Sequence, residues 1–345
     1  MTHDAFDADR WATRLVRDTE GAHRYDGETG TAFTEWQRQF RNDLRTVLGL
    51  YVVERTARVT PNPHRHEVDV VDDHERQRWS LRTEPDWRLP FSIMLPADAE
   101  PPFPVVLTVH GHTDFGTDVS MGVAATEDAR RQIAVERRDI ARQAVDNGFA
   151  AVVPAVRGFG ALEATGPRWE GERSCTALQH VAQLFGRTLA GDRVWDILRV
   201  LDFVADAPQF DSDRIGITGH SGGGAVALFA SALDERLSVA SVNSYLCAVE
   251  QSIVGIDHCA CNYVPGLATL GDLPDIAGLV APRPLVVTAG RDDSIFPIKG
   301  VRVAFDRVQT MYDAVGRTED CTLFVGDGGH RYYPDGVWPF FDKRL

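Results

Sequence analysis

The chain has 345 residues, of which 43% are hydrophobic and 25% charged, and its 36 Lys and Arg stand against 50 Asp and Glu for a formal net charge of −14. That acidic balance argues against a nucleic-acid or anionic-membrane partner, since either needs a basic face to neutralise phosphates. No apolar run approaches the ~20 residues that span a bilayer, and the opening MTHDAFDADRW carries acids where an export signal needs a basic start and an apolar centre, so a cytoplasmic protein is expected.

Five cysteines (Cys175, Cys247, Cys259, Cys261 and Cys321) form an odd, sparse set unlike a secreted disulfide framework, and reduced thiols are expected. His258-Cys259-Ala260-Cys261 resembles half of a metal site. No second Cys-x-x-Cys or His pair at ligand spacing accompanies it, and a structural zinc takes four ligands, so the expectation is no metal and no cofactor.

Residues 1–50 are polar, with Phe33, Trp36, Phe40, Leu44, Val47 and Leu48 spaced by threes and fours along one face, which predicts a helix packed on the main body. From 57 to 96 the pattern changes to short alternating runs (HEVDVVDD, RQRWSLRTE and RLPFSIMLP) broken by Pro, Asp and Glu, as expected of antiparallel strands at a sheet edge. The organisation that follows is an N-terminal helical extension over 1–56 and a single α/β domain over 57–345.

Beyond the turn at 97–104, the apolar run 105–109 reads as the first central strand, ending in His110-Gly111-His112. A glycine just past a strand tip lets a backbone N–H point into a cleft, as an oxyanion site requires. Residues 129–147 predict a helix stopped by Gly148, 149–156 a buried strand, and 161–190 an irregular stretch that covers or lines a cleft. A helix over 192–205 leads into a strand near 215–218. After it come a helix from 225 to 233, a strand at 238–243, a long connection, a strand at 285–289, a helix over 300–315, a strand at 321–325 and an aromatic C-terminal segment. Strands alternating with helices over 105–325 call for a mostly parallel sheet with helices on both faces.

The stretch DSDRIGITGHSGGGAVALF, residues 211–229, organises the rest: a short buried strand turns sharply into a helix with Ser221 on the bend. Gly219-His220-Ser221-Gly222-Gly223 fits the G-x-S-x-G nucleophile elbow, whose glycines permit a backbone that a Cβ would block. In a parallel sheet, loops at the carboxyl ends of the strands share one crevice. After strand 285–289 comes Gly290-Arg291-Asp292-Asp293, and after strand 321–325 comes Gly326-Asp327-Gly328-Gly329-His330. Either Asp292 or Asp293 could serve as the acid, and His330 completes the order Ser, Asp, His. A serine hydroxyl becomes a nucleophile when an imidazole takes its proton, and a carboxylate fixes that imidazole's tautomer. His110, His112, His220 and His258 lie elsewhere in this order, and their side chains read as structural.

Taken together, GDRVWDILRVLDFV, DRIGITGHSGGG, DHCACNYVPG, DIAGLVAPRPLVV and GRDDSIFP resemble the α/β-hydrolases related to acetylxylan esterases and dienelactone hydrolases, over roughly residues 80–345. The resemblance implies the α/β-hydrolase fold. It also implies Ser221 as nucleophile, His330 as base, Asp293 rather than Asp292 as the acid, and the backbone N–H groups of Gly222 and His112 as oxyanion donors. Dienelactone hydrolases use a cysteine nucleophile, so Ser221 favours ordinary ester chemistry. Acetylxylan esterases often carry glutamine after the serine, where this chain has Gly222.

The expectation is a cofactor-independent serine esterase acting on a small-molecule ester, sugar acetates among the candidates, with no nucleic-acid or membrane partner. A peptidase or amide hydrolase using the same triad and a non-catalytic scaffold that binds a ligand are the alternatives. A metallohydrolase built around His258, Cys259 and Cys261 is a third.

Overall fold

In the computed structural model, which describes residues 7–71, 74–97, 99–169 and 173–345, the strand-forming runs assemble into one nine-stranded sheet. The strands are β1 (His64–Val71), β2 (His74–Glu84), β3 (Trp87–Leu95), β4 (Phe103–Val109), β5 (Ala150–Pro154), β6 (Phe210–His220), β7 (Val239–Asn243), β8 (Leu285–Gly290) and β9 (Cys321–Gly326). Their order is β1-β2-β3-β5-β4-β6-β7-β8-β9. The first three pair antiparallel and β3 joins β5 antiparallel; from β5 through β9 every pairing is parallel. This is the α/β-hydrolase architecture expected from the sequence, with the antiparallel runs at one edge.

Because β5 lies on one side of β4 and β6 on the other, the chain reverses its winding direction there, and the crevice outside the carboxyl ends of β4 and β6 is where open α/β sheets bind ligands.

Side chains alternate across the central strands with period two. Val105, Leu107 and Val109 of β4, with Leu285, Val287 and Ala289 of β8, enter one large apolar cluster; Val106 and Val286 enter a second on the opposite face. The first face is covered by helices Leu189–Asp206 and Gly222–Leu233 and by the N-terminal helix Gly30–Val47, whose Phe33, Trp36, Phe40 and Leu44 join the same cluster. The second is covered by Ile140–Asp146 and by the aromatic C-terminal segment, which forms the helix Pro334–Arg344 and contributes Val337, Trp338 and Phe341. Among the described residues no helix is long and apolar enough to cross a membrane.

Two expectations from the pattern need correction. The helix expected over 129–147 is two helices, Glu127–Ala134 and Ile140–Asp146, separated by a segment in which Arg137 has a φ of 57°. The break lets Arg138 turn inward, where Nη1 donates to the carbonyl of His112 at 2.7 Å and Nη2 pairs with Glu136 at 2.6 Å. The stretch 161–190 is less irregular than its sequence suggests, for Ser174–Leu184 is a helix. Its apolar pattern is blurred. Leu184 is 83% exposed, while Gln179 is buried, accepting from the N–H of Leu189 at 2.8 Å and donating to the carbonyl of Tyr263 at 3.0 Å.

The helix after β6 approaches the sheet closely because glycines line the contact. A Cβ at Gly223 would lie 2.0 Å from the carbonyl oxygen of Val109, and one at Gly219 would lie 2.1 Å from that of Gly223. Gly223→Ala is therefore expected to push the helix off β4 and to lower the free energy of unfolding by about 1–3 kcal/mol, the usual cost of overpacking. Urea unfolding checks this: an unchanged midpoint would mean that the approach is not constrained.

Candidate active site

Ser221 sits between the end of β6 and the helix Gly222–Leu233, with φ 57° and ψ −119°. For a residue with a Cβ this conformation costs of order 1–3 kcal/mol and persists only where the surroundings enforce it. Here they do. The N–H of Ser221 donates to the carbonyl of Asn243 at 2.9 Å, and its own carbonyl accepts from Ala225 at 3.0 Å, so strand and helix hold the bend from both sides. The bend leaves the serine side chain at the carboxyl edge of the sheet and the start of a helix, whose positive end favours developing negative charge.

The acid and the histidine come from the next loops along the sheet. β8 and β9 run in register with Gly290 opposite Gly326, so both loops leave at the same level. His330 Nδ1 and Asp293 Oδ2 are 2.8 Å apart. The other carboxylate oxygen accepts from the backbone N–H groups of Ile295 at 2.8 Å and Phe296 at 3.1 Å, which fixes the carboxylate's orientation. Asp293 is buried and Asp292 exposed, so the geometry distinguishes two acids that the residue pattern alone left open.

The histidine loop is tied toward the elbow by several bonds. Ser244 Oγ donates to the carbonyl of Arg331 at 3.0 Å, and the Tyr332 hydroxyl lies 3.1 Å from Thr218 Oγ1 on β6. The ring of His330 is 4.8 Å from that of His220, the residue preceding Ser221, and 5.8 Å from that of Phe296.

The loop after β4 closes the other side. A Cβ at Gly111 would lie 3.1 Å from the Cβ of Ser221, and one at Gly222 would lie 3.2 Å from Nδ1 of His112. The His112 peptide is held through its carbonyl by Arg138, and its ring packs on Phe159 at 4.4 Å. Gly222 opens its helix, so its N–H has no intrahelical acceptor. The five residues singled out in the sequence thus lie around one crevice, each on the loop or helix start where the strand order places it.

The remaining histidines fill other positions. His110 and His220 are buried beneath the crevice. Burial pushes the His110 imidazole down to about 4, with the charges of Arg193 and Arg138 acting the same way. Burial also holds His220 well below the usual histidine range, reinforced by His330. His258 Nε2 bonds Ser252 Oγ at 2.9 Å, and its ring packs against Phe296. The grouping of His258 with Cys259 and Cys261 that the metallohydrolase alternative required does not form among the described residues; the side chains gathered with those thiols are Cys175 and His112. Sequence spacing could not reveal that set, because its members sit on three segments far apart in the chain.

A cleft of about 560 Å³ opens beside the His112 loop, with Trp79, Asp114, Phe115 and Phe159 in its wall. A larger one of about 610 Å³ is bounded by Glu84, Trp87, Arg157 and Arg187; neither cleft is lined by any of the five site residues, but the smaller one includes Asp114 and Phe115 of the loop that follows His112.

A model of the Abhydrolase family matches residues 12–315. The Bacillus subtilis protein YtaP, provisionally named a hydrolase, is 29% identical over 152 residues, which are 43% of this chain and 50% of that protein. The chain thus spans about half the length of the curated relative it matches. Among solved structures, a Bacteroides fragilis protein assigned as an acetyl xylan esterase superposes with a TM-score of 0.76 at 17% identity, over 93% of this chain and 82% of its own. A glucuronoyl esterase from Solibacter usitatus gives 0.67 at 14% identity, over 94% and 96%.

The buried imidazoles generate a pH prediction. A histidine whose folded pKa lies below its unfolded value is protonated first in the unfolded chain as pH falls. Stability is then complete above the unfolded pKa near 6.5 and declines toward about 4 for His110. His110→Asn is expected to flatten the stability-against-pH slope over this window by up to about 1.4 kcal/mol per pH unit, one proton's worth. Chemical denaturation between pH 7 and pH 4.5 measures it, and equal slopes for variant and parent would refute the assignment.

Proposed function

The chain belongs to the Abhydrolase family, and on that footing we propose that it is a serine esterase whose nucleophile is Ser221, with His330 as base, Asp293 as the orienting acid and the N–H groups of Gly222 and His112 as the oxyanion site. The observation that carries this reading is the 2.8 Å bond from His330 Nδ1 to a carboxylate fixed by two backbone donors, on the loop beside a serine held at φ 57°.

With Nδ1 donating to Asp293, His330 presents Nε2 as the proton acceptor for Ser221. The hydroxyl attacks the ester carbonyl, and the carbonyl oxygen takes up the negative charge. Two N–H donors at the helix start and on the His112 loop stabilise that oxyanion. Loss of one such donor typically costs on the order of 10²–10³ in turnover. The tetrahedral intermediate collapses as His330 returns the proton to the departing alcohol. Water, deprotonated by the same imidazole, then releases the acid and restores the serine.

The 560 Å³ cleft shares the loop that carries His112 and holds Phe159, so we assign it to the substrate. Its mixed aromatic and charged wall, with Trp79, Phe115, Arg78 and Asp114, suits a ring bearing hydroxyls, and the acetyl xylan esterase and glucuronoyl esterase among the structural neighbours point to esters of sugars. The five free thiols favour a reducing, cytoplasmic setting. We place the boundary between the helical extension and the catalytic domain at residues 56 and 57, a division supported by the helices Gly30–Val47 and Leu50–Thr56 preceding β1.

Ser221→Ala is expected to abolish labelling by a fluorophosphonate and hydrolysis of p-nitrophenyl acetate. Asp293→Asn should reduce turnover by about 10⁴-fold, as holding the base in the wrong tautomer does in other triads, while Asp292→Asn leaves it near the parent value. Undiminished turnover in the Ser221 variant would remove the proposal. A matched amide cleaved faster than its ester would move the enzyme to the amide hydrolases.

A further inference from the structure

Outside the Ser221 row, four ligand-bearing side chains converge on one point. The sulfurs of Cys175, Cys259 and Cys261 and a ring nitrogen of His112 all lie within 4.8 Å of one another. They come from three places: the loop after β4, the first turn of the helix Ser174–Leu184, and the turn at 259–262 in the connection between β7 and β8.

The spacing suits a tetrahedral ion. Zinc binds thiolate at about 2.3 Å and imidazole at about 2.0–2.1 Å, which sets ligand atoms roughly 3.5–3.8 Å apart around a tetrahedron. The Cys259 and Cys261 sulfurs are 3.3 Å apart and the widest separation in the group is under 4.8 Å, so small rotations centre all four on one ion. A disulfide needs its sulfurs at about 2.05 Å, and all five cysteines are free.

The charge balance points the same way. Three thiolates and a divalent cation carry a net charge of −1, and the buried guanidinium of Arg193 supplies the opposite unit. Its Nη2 lies 3.1 Å from Cys175 Sγ, and Nε and Nη2 also donate to the carbonyl of Arg157 at 2.9 and 2.7 Å. An N–H donor held against a ligand sulfur is the usual outer partner of a thiolate site. Metal can reach Cys259 from a cleft of about 460 Å³ that also exposes Asp257 and His258.

We propose that Cys175, Cys259, Cys261 and His112 form a structural Zn²⁺ site. All four positions are protein ligands, leaving none for water or substrate, which is the hallmark of structural rather than catalytic zinc. Ligation through the His112 ring anchors the loop whose backbone N–H is assigned to the oxyanion. That catalytic consequence rests on the esterase reading; the binding of the metal does not.

The full chain, purified without chelator, should contain one zinc per molecule by elemental analysis. Cobalt exchanged into it should give thiolate-to-cobalt charge transfer and the visible bands of tetrahedral cobalt. Cys261→Ser and Cys175→Ser should each reduce zinc well below one equivalent, whereas Cys321→Ser, on β9, keeps it. Ser221→Ala should retain one zinc while losing hydrolysis, which separates failure of the site from failure of the esterase reading. Should the cysteine variants fail to fold, cobalt titration of the unaltered chain still decides. A native chain that takes up neither zinc nor cobalt and whose cluster thiols all react freely with a disulfide reagent overturns the proposal, as does a stoichiometric disulfide within the cluster.

Discussion

The backbone of Ser221 is the constraint from which the rest of the crevice is measured. Its φ of 57° and ψ of −119° turn β6 directly into a helix whose residues from Gly222 to Ala232 are buried. The strain, of order 1–3 kcal/mol, is outweighed by the apolar surface that the helix removes from water against β4, β6 and β7. The close approach works only because Gly219, Gly223 and Gly224 leave room for carbonyl oxygens where side chains would otherwise stand. Once the bend is set, parallel register carries its height across the sheet. His220 stands opposite Asn243, and Gly290 opposite Gly326, so the loops bearing the acid and the histidine start from one level.

Register brings the loops to the right height, and side-chain bonds then set their direction. The histidine loop is clamped at its far end by Tyr333, whose hydroxyl donates to the carbonyl of Gly329 at 2.6 Å and whose ring crowds Gly326. The N–H of Tyr332 donates to the carbonyl of Glu136 at 2.9 Å, and Glu136 also pairs with Arg138, which holds the His112 carbonyl. One chain of contacts therefore links the proposed base to the proposed oxyanion loop without passing through the serine. The neutral, buried rings of His110 and His220 lie beneath this arrangement and introduce no competing charge.

Most of the framework was legible because it follows from short-range rules. The apolar runs of β4, β5, β8 and β9 and the glycine-flanked serine each declare a local geometry, and their sequence order implies that of the site. What stayed hidden depends on tertiary burial. Asp292 and Asp293 are neighbours with the same chemistry; the family resemblance favours Asp293, but the residue pattern alone does not choose, and the physical distinction is the turn that buries Asp293 beside His330. Ser174–Leu184 escaped notice because it buries Gln179 along with small residues and exposes Val181 and Leu184, which blurs the apolar stripe of an amphipathic helix. A Cys-x-Cys pair could be read as half of a metal site, but its companions Cys175 and His112 lie far from it in the chain, and no spacing rule connects them.

The loop after β5 shows how the two groups of residues become one structure. Arg157 bonds Asp196 at 2.6 and 2.7 Å and Glu84 at 2.6 Å, joining the tip of the β2–β3 hairpin to the helix Leu189–Asp206. Charges buried in this way are costly to leave unpaired, about 3–5 kcal/mol when one partner is removed, so the loop is held firmly at this point. Its carbonyl receives Arg193, its next residue but one is Phe159, and Phe159 supports both the Arg193 guanidinium at 4.5 Å and the His112 ring at 4.4 Å. Rigidity therefore passes from a buried ion network, through a cation and an aromatic ring, to a histidine at the rim of the crevice. The three sulfurs gathered beside that histidine come from the segments around Cys175 and Cys259, to which the proposed metal would extend the restraint.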